Sequence, residues 1–213
     1  MLKPLTKEQT EEILRKASEE FANHGFAKAS ISTIAKNAGV SVGVIYKYYS
    51  DKKALFRACV VRSLNALDEV FEEAQTGDRS LMEMIEELII QIQKYSREEP
   101  GYFRLYHLIT VSGTPIEIDN AAEMIEGRSA ELYSRLFKKA KEKGEVRQDM
   151  DPKLFAYFFD NMLMMLHFSY SCEYYKDRFR VYCGDDITRN DEFVREQMLK
   201  FIGGALGGIH TGI

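Results

Sequence analysis

The sequence predicts an all-α protein in which a small N-terminal domain of three helices precedes a larger helical domain. Apolar residues recur at helical spacing along most of the chain, and no two segments show the alternation and tight turn of a β-hairpin. Only four prolines interrupt the 213 residues, which suits long helices. Several pairs of capping residues also mark predicted helix starts.

The first helix is predicted to begin at a capping box formed by Thr6 and Gln9, in which each side chain accepts a hydrogen bond from the other residue's backbone. Gly25 is suited to end this helix, because glycine adopts the left-handed conformation without a steric penalty. Between them, four apolar residues recur at helical spacing: Ile13, Leu14, Ala17 and Phe21.

Two short helices follow the first one. Ser30 and Ser41 are suited to cap a second and a third helix, and Gly39 lies in the turn between them. Val40 and Ile45 occupy the positions of a hydrophobic staple, which fixes the angle at which the chain enters the third helix. Two short helices, a glycine-containing turn and a fixed crossing angle predict a helix-turn-helix.

The third helix is predicted to cover about Val42 to Tyr48 and to have an outer face that suits DNA. If Ile45 points inward, helical geometry places four residues on the other side: Val42, Gly43, Tyr46 and Lys47. Gly43 costs about 1 kcal/mol relative to alanine in a helix interior, but it allows the backbone to approach a groove closely. Tyr46 can donate to a phosphate, and Lys47 can reach a phosphate or a guanine edge.

The charge distribution also predicts DNA binding by the N-terminal part. Residues 1–62 contain 11 lysines and arginines against 6 acidic residues, a net charge of +5, whereas the remainder carries −9. This asymmetry is typical of a basic binding module on an acidic body. Ser50 is predicted to cap a fourth helix with Lys52 and Lys53 in its first turn. Lysine is unfavourable there against the helix dipole unless a phosphate binds nearby.

Residues 30–56 resemble the TetR (tetracycline-repressor) family of transcriptional regulators. The matching positions are Ile34, Ala35, Ala38, Gly39, Val40, Ser41, Gly43, Tyr46, Lys52 and Leu55, and the clear resemblance covers roughly residues 8–60. Tyr48 stands where the family often has histidine, and Tyr49 where it often has phenylalanine. Both substitutions keep an aromatic ring, so the resemblance implies that both keep their role.

The resemblance implies which residues contact DNA. It assigns phosphate contacts to Tyr46, Tyr48 and Lys52. Four residues are expected to face base edges: Val42, Gly43, Val44 and Lys47. Ser32 and Thr33 at the start of the second helix, together with Ser41, complete the predicted DNA-binding residues. The alternative for Tyr48 and Tyr49 is that they pack inward, which is the favoured interpretation for Tyr49.

The rest of the chain is predicted to form a body at 51–213 behind a DNA-binding domain at 1–50, with the fourth helix, about 51–75, as the link. The predicted landmarks are a turn at Thr76–Asp78, a capping box at Ser80 and Glu83, breaks at Pro100 and Gly113–Pro115, a polar helix over about Ile116–Lys143, a helix start at Asp151–Pro152, a loop at Cys183–Thr188 and a last helix over about Asp191–Leu206. The segment after Pro152 is apolar nearly all round, which predicts burial on most sides.

The family resemblance implies a homodimer, formed through roughly 152–175 and 191–206. A physical argument supports it, because one helix-turn-helix makes few base contacts. A dimer instead presents two recognition helices about 34–36 Å apart, one turn of DNA. The expected partner is therefore double-stranded DNA with a palindromic operator.

Aromatic residues and methionines are unusually frequent in the middle of the chain, where members of the family commonly hold an inducer. Such side chains suit adaptable apolar pockets. The candidate pocket residues are Tyr102, Phe103, Tyr106, His107, Phe158, Met162, Met165 and Tyr174. The alternative is that these residues are only core, and the small-molecule inducer is not identified by the sequence.

Other functions have less support in the sequence. No Walker loop, HExxH or nucleophile-elbow motif occurs, which disfavours a helical enzyme, and the acidic body disfavours an architectural DNA-binding protein. The cysteines, Cys59, Cys172 and Cys183, have no metal-like spacing, so no metal or cofactor is expected. Isolated thiols and the lack of a secretory or membrane-spanning pattern predict a cytoplasmic protein. The favoured function is a repressor released by an inducer, and the alternative is a ligand-independent or activating regulator.

Overall fold

The computed structural model describes residues 4–74, 79–112 and 121–207, and these residues contain helices and no strand. The all-α prediction is therefore confirmed. The α-helices are α1 (Lys7–Lys28), α2 (Ile31–Asn37), α3 (Val42–Tyr48), α4 (Lys52–Ala74), α5 (Leu81–Glu98), α6 (Pro100–Ser112), α7 (Ala121–Glu142), α8 (Pro152–Ser171), α9 (Glu173–Cys183) and α10 (Asp191–Ala205), with a 3₁₀ turn at Ile187–Arg189.

The chain packs into two compact units. The first lies within residues 1–68 and 98–118, and the second within 69–97 and 119–213. The first unit thus contains α1 to α3, the first part of α4, and α6, while α5 and α7 to α10 belong to the second. The boundary near residue 50, between the predicted DNA-binding domain and the predicted body, stays a prediction.

The core of the first unit is an aromatic cluster that joins α1 to α4. The Phe56 ring contacts Phe21 and Phe26 edge to face, with centroids 5.0 Å and 5.3 Å apart. Ile34 of α2 and Ile45 of α3 are also fully buried. Each short helix therefore attaches to the unit through a very small number of apolar side chains.

Most of the predicted helix starts are confirmed. Thr6 and Gln9 form a reciprocal capping box at 3.0 Å and 3.2 Å, and Ser80 and Glu83 form another. Asp151 caps α8 ahead of a proline, as expected. Gly25 has a φ of +71° and breaks α1, although three further residues continue as a helical turn to Lys28.

The prediction that Ser50 caps α4 is wrong by one residue. The Asp51 carboxylate accepts the backbone N–H of Ala54 at 2.8 Å, so Asp51 is the cap and α4 begins at Lys52. A carboxylate is favoured at this position because it also interacts with the positive end of the helix dipole. Lys52 and Lys53 nevertheless lie in the first turn, as the sequence indicated.

Helix α6 packs against α1 within the first unit. Gly101 approaches α1 so closely that a Cβ there would lie 3.1 Å from Cγ of Glu19. The next residue, Tyr102, is buried, and the guanidinium of Arg62 from α4 lies 5.1 Å from its ring centroid. Residues of α6 therefore contact two of the N-terminal helices directly.

The core of the second unit is built mainly where α7 packs on α8. Phe159 contacts Tyr133 and Phe137 edge to face, with centroids 5.0 Å and 5.3 Å apart. A polar network also links α5, α8 and α10. The hydroxyl of Tyr170 accepts from Gln93 at 3.1 Å and donates to Asp191 at 3.0 Å, and Arg97 pairs with the same carboxylate.

The prediction that the apolar segment after Pro152 is buried on most sides holds for residues 159–171, none of which is exposed, and fails for the start of α8. In the first two turns of α8, Leu154, Tyr157 and Phe158 are exposed. Phe193 and Phe201 of α10 are exposed as well. Within the chain, the other helices therefore cover only part of the apolar surface of α8 and α10.

Three predicted features lie outside the described residues: the turn at Thr76–Asp78, the break at Gly113–Pro115 and the start of the polar helix near Ile116. The described part of that helix is α7, and it ends before Gly144 as expected. In the described ranges no helix is both long and apolar enough to cross a membrane. The same ranges contain no group of three or more histidine, cysteine or acidic residues that could hold a metal ion.

Candidate nucleic-acid interface

Helix α3 presents most of the predicted DNA-reading residues together on the surface. Ile45 is its one fully buried residue, with 1% of its surface exposed, and the Ser41 hydroxyl caps the helix by accepting the Val44 N–H at 3.3 Å. The residues predicted on the outer face are exposed: Val42, Gly43, Tyr46 and Lys47. Val44 is only half-buried and lies beside this face.

The turn before α3 depends on a glycine conformation. Gly39 has a φ of +67°, and a Cβ at this position would meet nothing within 4 Å. The requirement for glycine is therefore conformational and not steric. The following N–H, that of Val40, donates to Ala35 at 3.0 Å, which ties the turn to the end of α2.

Ser32 and Thr33 are exposed in the first turn of α2, as predicted. The Ser30 hydroxyl accepts the Thr33 N–H at 3.3 Å and lies 2.9 Å from the Ser32 hydroxyl. The first turn of α2 therefore combines exposed hydroxyl groups with the positive end of the helix dipole. Both features suit contact with a phosphate.

Tyr48 is exposed, but its hydroxyl has a partner within the protein. It accepts the backbone N–H of Leu5 at 2.8 Å, and the ammonium of Lys47 lies 5.5 Å from its ring centroid. The hydroxyl can still donate its own hydrogen to a phosphate. Tyr49 is half-buried, and burial raises the pKa of its hydroxyl, in agreement with the inward packing expected for it.

Lys52 also has partners within the first unit. Its Nζ donates to the carbonyl oxygen of Ala27 at 3.1 Å and lies 5.1 Å from the ring centroid of Phe26. The ammonium nevertheless lies at the N-terminus of α4, where the helix dipole favours an anion. The predicted phosphate contact of Lys52 is compatible with this position.

Glu20 positions α2, a role that was not predicted from the sequence. Its carboxylate is almost fully buried and accepts the N–H of Ser30 at 3.0 Å, while its other oxygen lies 3.7 Å from Nε2 of His24. The bond holds the first residue of the helix-turn-helix against α1. A signal was present, because Glu20 follows Ala17 by three positions and thus falls on the apolar face of α1.

The eight candidate pocket residues fall in both units. Tyr102, Phe103 and Tyr106 are buried in the first unit, where burial raises the pKa of Tyr102. The adjacent His107 is half-buried, which lowers its pKa. The other four belong to the second unit: Met162 and Met165 are half-buried, and Phe158 and Tyr174 are exposed. A pocket that uses all eight stays a prediction.

Comparisons with known proteins agree with this geometry. Residues 13–59 match the family model described as bacterial regulatory proteins, tetR family. The chain is 26% identical over 200 residues to the uncharacterized HTH-type transcriptional regulator YvdT of Bacillus subtilis, covering 92% of this chain and 94% of YvdT. It is 25% identical over 142 residues to the HTH-type transcriptional regulator UidR of Escherichia coli K12, covering 65% of this chain and 69% of UidR.

The fold is shared with solved structures. The structure of the fatty acid degradation regulator FadR from Bacillus halodurans superimposes with a TM-score of 0.67 at 21% identity, covering 89% of this chain and 97% of FadR. At this level of identity the similarity concerns the fold. YvdT and UidR are both named as transcriptional regulators.

Proposed function

We propose that this chain is a DNA-binding transcriptional regulator of the TetR type, and that it is a homodimeric repressor which a small-molecule inducer releases from a palindromic operator. The observation that carries the DNA-binding part is the outer face of α3. Four predicted contact residues lie there around one buried anchor, Ile45. A regulator of a bacterial chromosome acts in the cytoplasm, so that location is part of the proposal.

The proposed base-reading residues are Val42, Gly43, Val44 and Lys47. Lys47 is the one that can donate to a guanine edge. The proposed phosphate contacts surround this face, and they are Ser32, Thr33, Ser41, Tyr46, Tyr48 and Lys52. They lie on α2, on α3 and its N-cap residue Ser41, or in the first turn of α4.

The homodimer is supported by exposed apolar residues on the two helices that the family uses for pairing. On α8, Phe158 has 55% of its surface exposed, and on α10, Phe201 has 68% exposed. Large apolar side chains left exposed on a protein indicate an interaction site. A second copy of the chain would cover them and would supply the second recognition helix.

The response to an inducer is supported by the position of α6. This helix begins with buried contacts to α1 and α4, through Gly101 and Tyr102. A ligand that prefers a different position of α6 would therefore change the free energy of the DNA-binding conformation. Differential affinity of the ligand for two conformations is sufficient for such coupling.

Selection of bound duplexes from a random DNA pool tests the regulator function. We expect enrichment of a palindrome whose half-sites are about one DNA turn apart. The variant Lys47→Ala should enrich a different half-site, whereas Lys139→Ala, which removes an exposed charge from α7, should enrich the same one. A folded, dimeric protein that enriches no sequence would contradict the proposal.

The inducer part needs a separate test. Compounds that raise the melting temperature of the protein in a thermal-shift screen are added to the complex with the enriched duplex. We expect at least one stabilising apolar compound to release the DNA. Compounds that stabilise the protein without any change in DNA affinity would instead favour a ligand-independent regulator.

A further inference from the structure

The recognition helix α3 has a second attachment besides its buried side chain. It consists of seven residues, and only Ile45 is buried. One fully buried side chain restrains the rotation of a two-turn helix only weakly. The hydrogen bond from the Leu5 N–H to the Tyr48 hydroxyl, at 2.8 Å, attaches the last residue of α3 to the start of α1.

We propose that Tyr48 is a positioning residue for DNA recognition, which sets the rotation of α3 through its bond to the Leu5 backbone. The inference rests on the proposed contact of α3 with DNA. Leu5 directly precedes Thr6, whose capping box with Gln9 fixes the backbone at this point. The tyrosine hydroxyl thus binds a fixed part of α1 and not a loose end of the chain.

This role differs from a phosphate contact in a way that can be measured. A tyrosine hydroxyl has one hydrogen to donate and two lone pairs. In the free protein a lone pair is used by Leu5, so the hydrogen can still reach DNA. A phosphate contact depends on the Tyr48 hydroxyl alone, whereas a positioning role depends equally on the Leu5 N–H.

The experiment removes each partner separately. Leu5→Pro deletes the N–H donor, Leu5→Ala keeps the donor and serves as the matched control, and Tyr48→Phe deletes the acceptor. Affinity is measured for the duplex that the unmodified protein enriches from a random pool. We expect Leu5→Pro and Tyr48→Phe each to weaken binding roughly three- to tenfold, and the double variant to be no weaker than Tyr48→Phe alone.

Two results of the binding experiment would overturn the proposal. One is that Leu5→Pro binds as well as Leu5→Ala, and the other is that the losses of the two single variants multiply in the double variant. Either result assigns the effect of Tyr48 to a direct DNA contact. If no duplex is enriched, the sequence-specific function fails, and the same variants are compared on a random duplex, where the same coupling between Leu5 and Tyr48 is expected.

A measurement on the free protein tests the bond without DNA. Amide hydrogen exchange of Leu5 is followed in the unmodified protein and in Tyr48→Phe. We expect exchange of the Leu5 amide to be several-fold faster in the variant. The Val44 amide, which donates a hydrogen bond to the Ser41 hydroxyl, should exchange at the same rate in both proteins. Equal exchange rates at Leu5 in the two proteins would show that the bond does not hold α3, even if Leu5→Pro failed to fold.

Discussion

The ammonium group of Lys52 donates a hydrogen bond to the carbonyl oxygen of Ala27, at 3.1 Å, and so joins the start of α4 to the end of α1. Carbonyl groups in the last turn of a helix have no partner within that helix. The break at Gly25 leaves Ala27 in such a turn. Lys52 is unfavourable in the first turn of α4, but it provides a hydrogen-bond donor for a carbonyl group at the C-terminus of α1.

The first prediction concerns the charge of Lys52 at DNA. Lys52→Ala should weaken binding roughly tenfold, to the same extent for the enriched duplex and for unrelated DNA, because a phosphate contact carries no sequence information. The slope of log affinity against log salt concentration should fall by about one. Lys139→Ala is the control. An unchanged slope with weaker binding would show that Lys52 acts only through Ala27.

Gly43 is predicted to trade stability for access to the DNA groove. A Cβ at Gly43 would meet only the Ser41 hydroxyl, at 3.8 Å, so the free protein has room for it. Gly43→Ala should raise the free energy of unfolding by about 0.5–1 kcal/mol. DNA binding should weaken by about 1–3 kcal/mol, since the methyl group would enter a packed interface. Urea unfolding and duplex titration measure the two effects, and unimpaired DNA binding would exclude the close approach.

Gly101 is predicted to be required for the packing of α6 on α1. A Cβ there would lie 3.1 Å from Cγ of Glu19, whose carboxylate is itself held by Arg15 and Lys16. Because Glu19 has little freedom to move, Gly101→Ala should lower the free energy of unfolding by about 1–2 kcal/mol.

Gly127 of α7 provides the matched control for Gly101. Its Cβ would make only an ordinary contact with the Glu123 side chain, at 3.6 Å. Gly127→Ala should therefore stabilise the protein by about 0.5–1 kcal/mol, as expected for alanine in a helix. If both variants were stabilised equally in urea unfolding, the close contact between α6 and α1 would not constrain the protein.

The proposed dimer predicts that a charge at Phe201 separates the two copies. Phe201→Glu should weaken dimerisation by more than about 2 kcal/mol, as at a central interface residue, and should reduce operator binding in parallel. Sedimentation measures the association. Tyr182→Glu is the control, because Tyr182 is similarly exposed but lies outside the proposed interface. Equal loss of dimer in both variants would place the interface elsewhere.

The sequence predicted the features of the fold that depend on neighbouring residues. The cap at Ser41, the glycine turn at Gly39 and the bounds of α3 all follow from local backbone chemistry, and all are confirmed. The cap of α4 was misplaced by one residue because Ser50 and Asp51 are both good caps, and the choice depends on the turn that precedes them.

Contacts between distant residues could not be predicted from the sequence. The bonds from Tyr48 to Leu5 and from Lys52 to Ala27 link residues 43 and 25 positions apart, and no periodicity encodes them. The exposed residues in the first two turns of α8 were also missed, because an apolar pattern shows that a side chain needs to be covered and does not show what covers it. For the same reason, the pattern alone could not assign Tyr102 and Phe158 to different units.

The last prediction concerns pH and the buried His167. This imidazole lies 3.3 Å from the Ser96 hydroxyl, and burial lowers its pKa from 6.5 to about 3. Between these two values the unfolded chain binds a proton that the folded protein does not bind. The stabilising contribution of neutral His167 is therefore complete above pH 6.5 and is lost as the pH falls, by about 1.4 kcal/mol per pH unit.

Asp160 changes the stability with pH in the opposite direction, so its contribution has to be separated from that of His167. Burial raises its pKa to about 6, so the folded protein binds its proton more readily and gains stability as the pH falls below 6. Since Asp160 is present in both proteins, the difference between the unmodified protein and His167→Asn isolates the histidine. From pH 6.5 to pH 5, urea unfolding should show an additional loss of about 2 kcal/mol in the unmodified protein. If the unfolding free energies of the two proteins changed equally with pH, His167 would take up a proton in the folded state. Water or a movement of α8 would then have to solvate the charged imidazole.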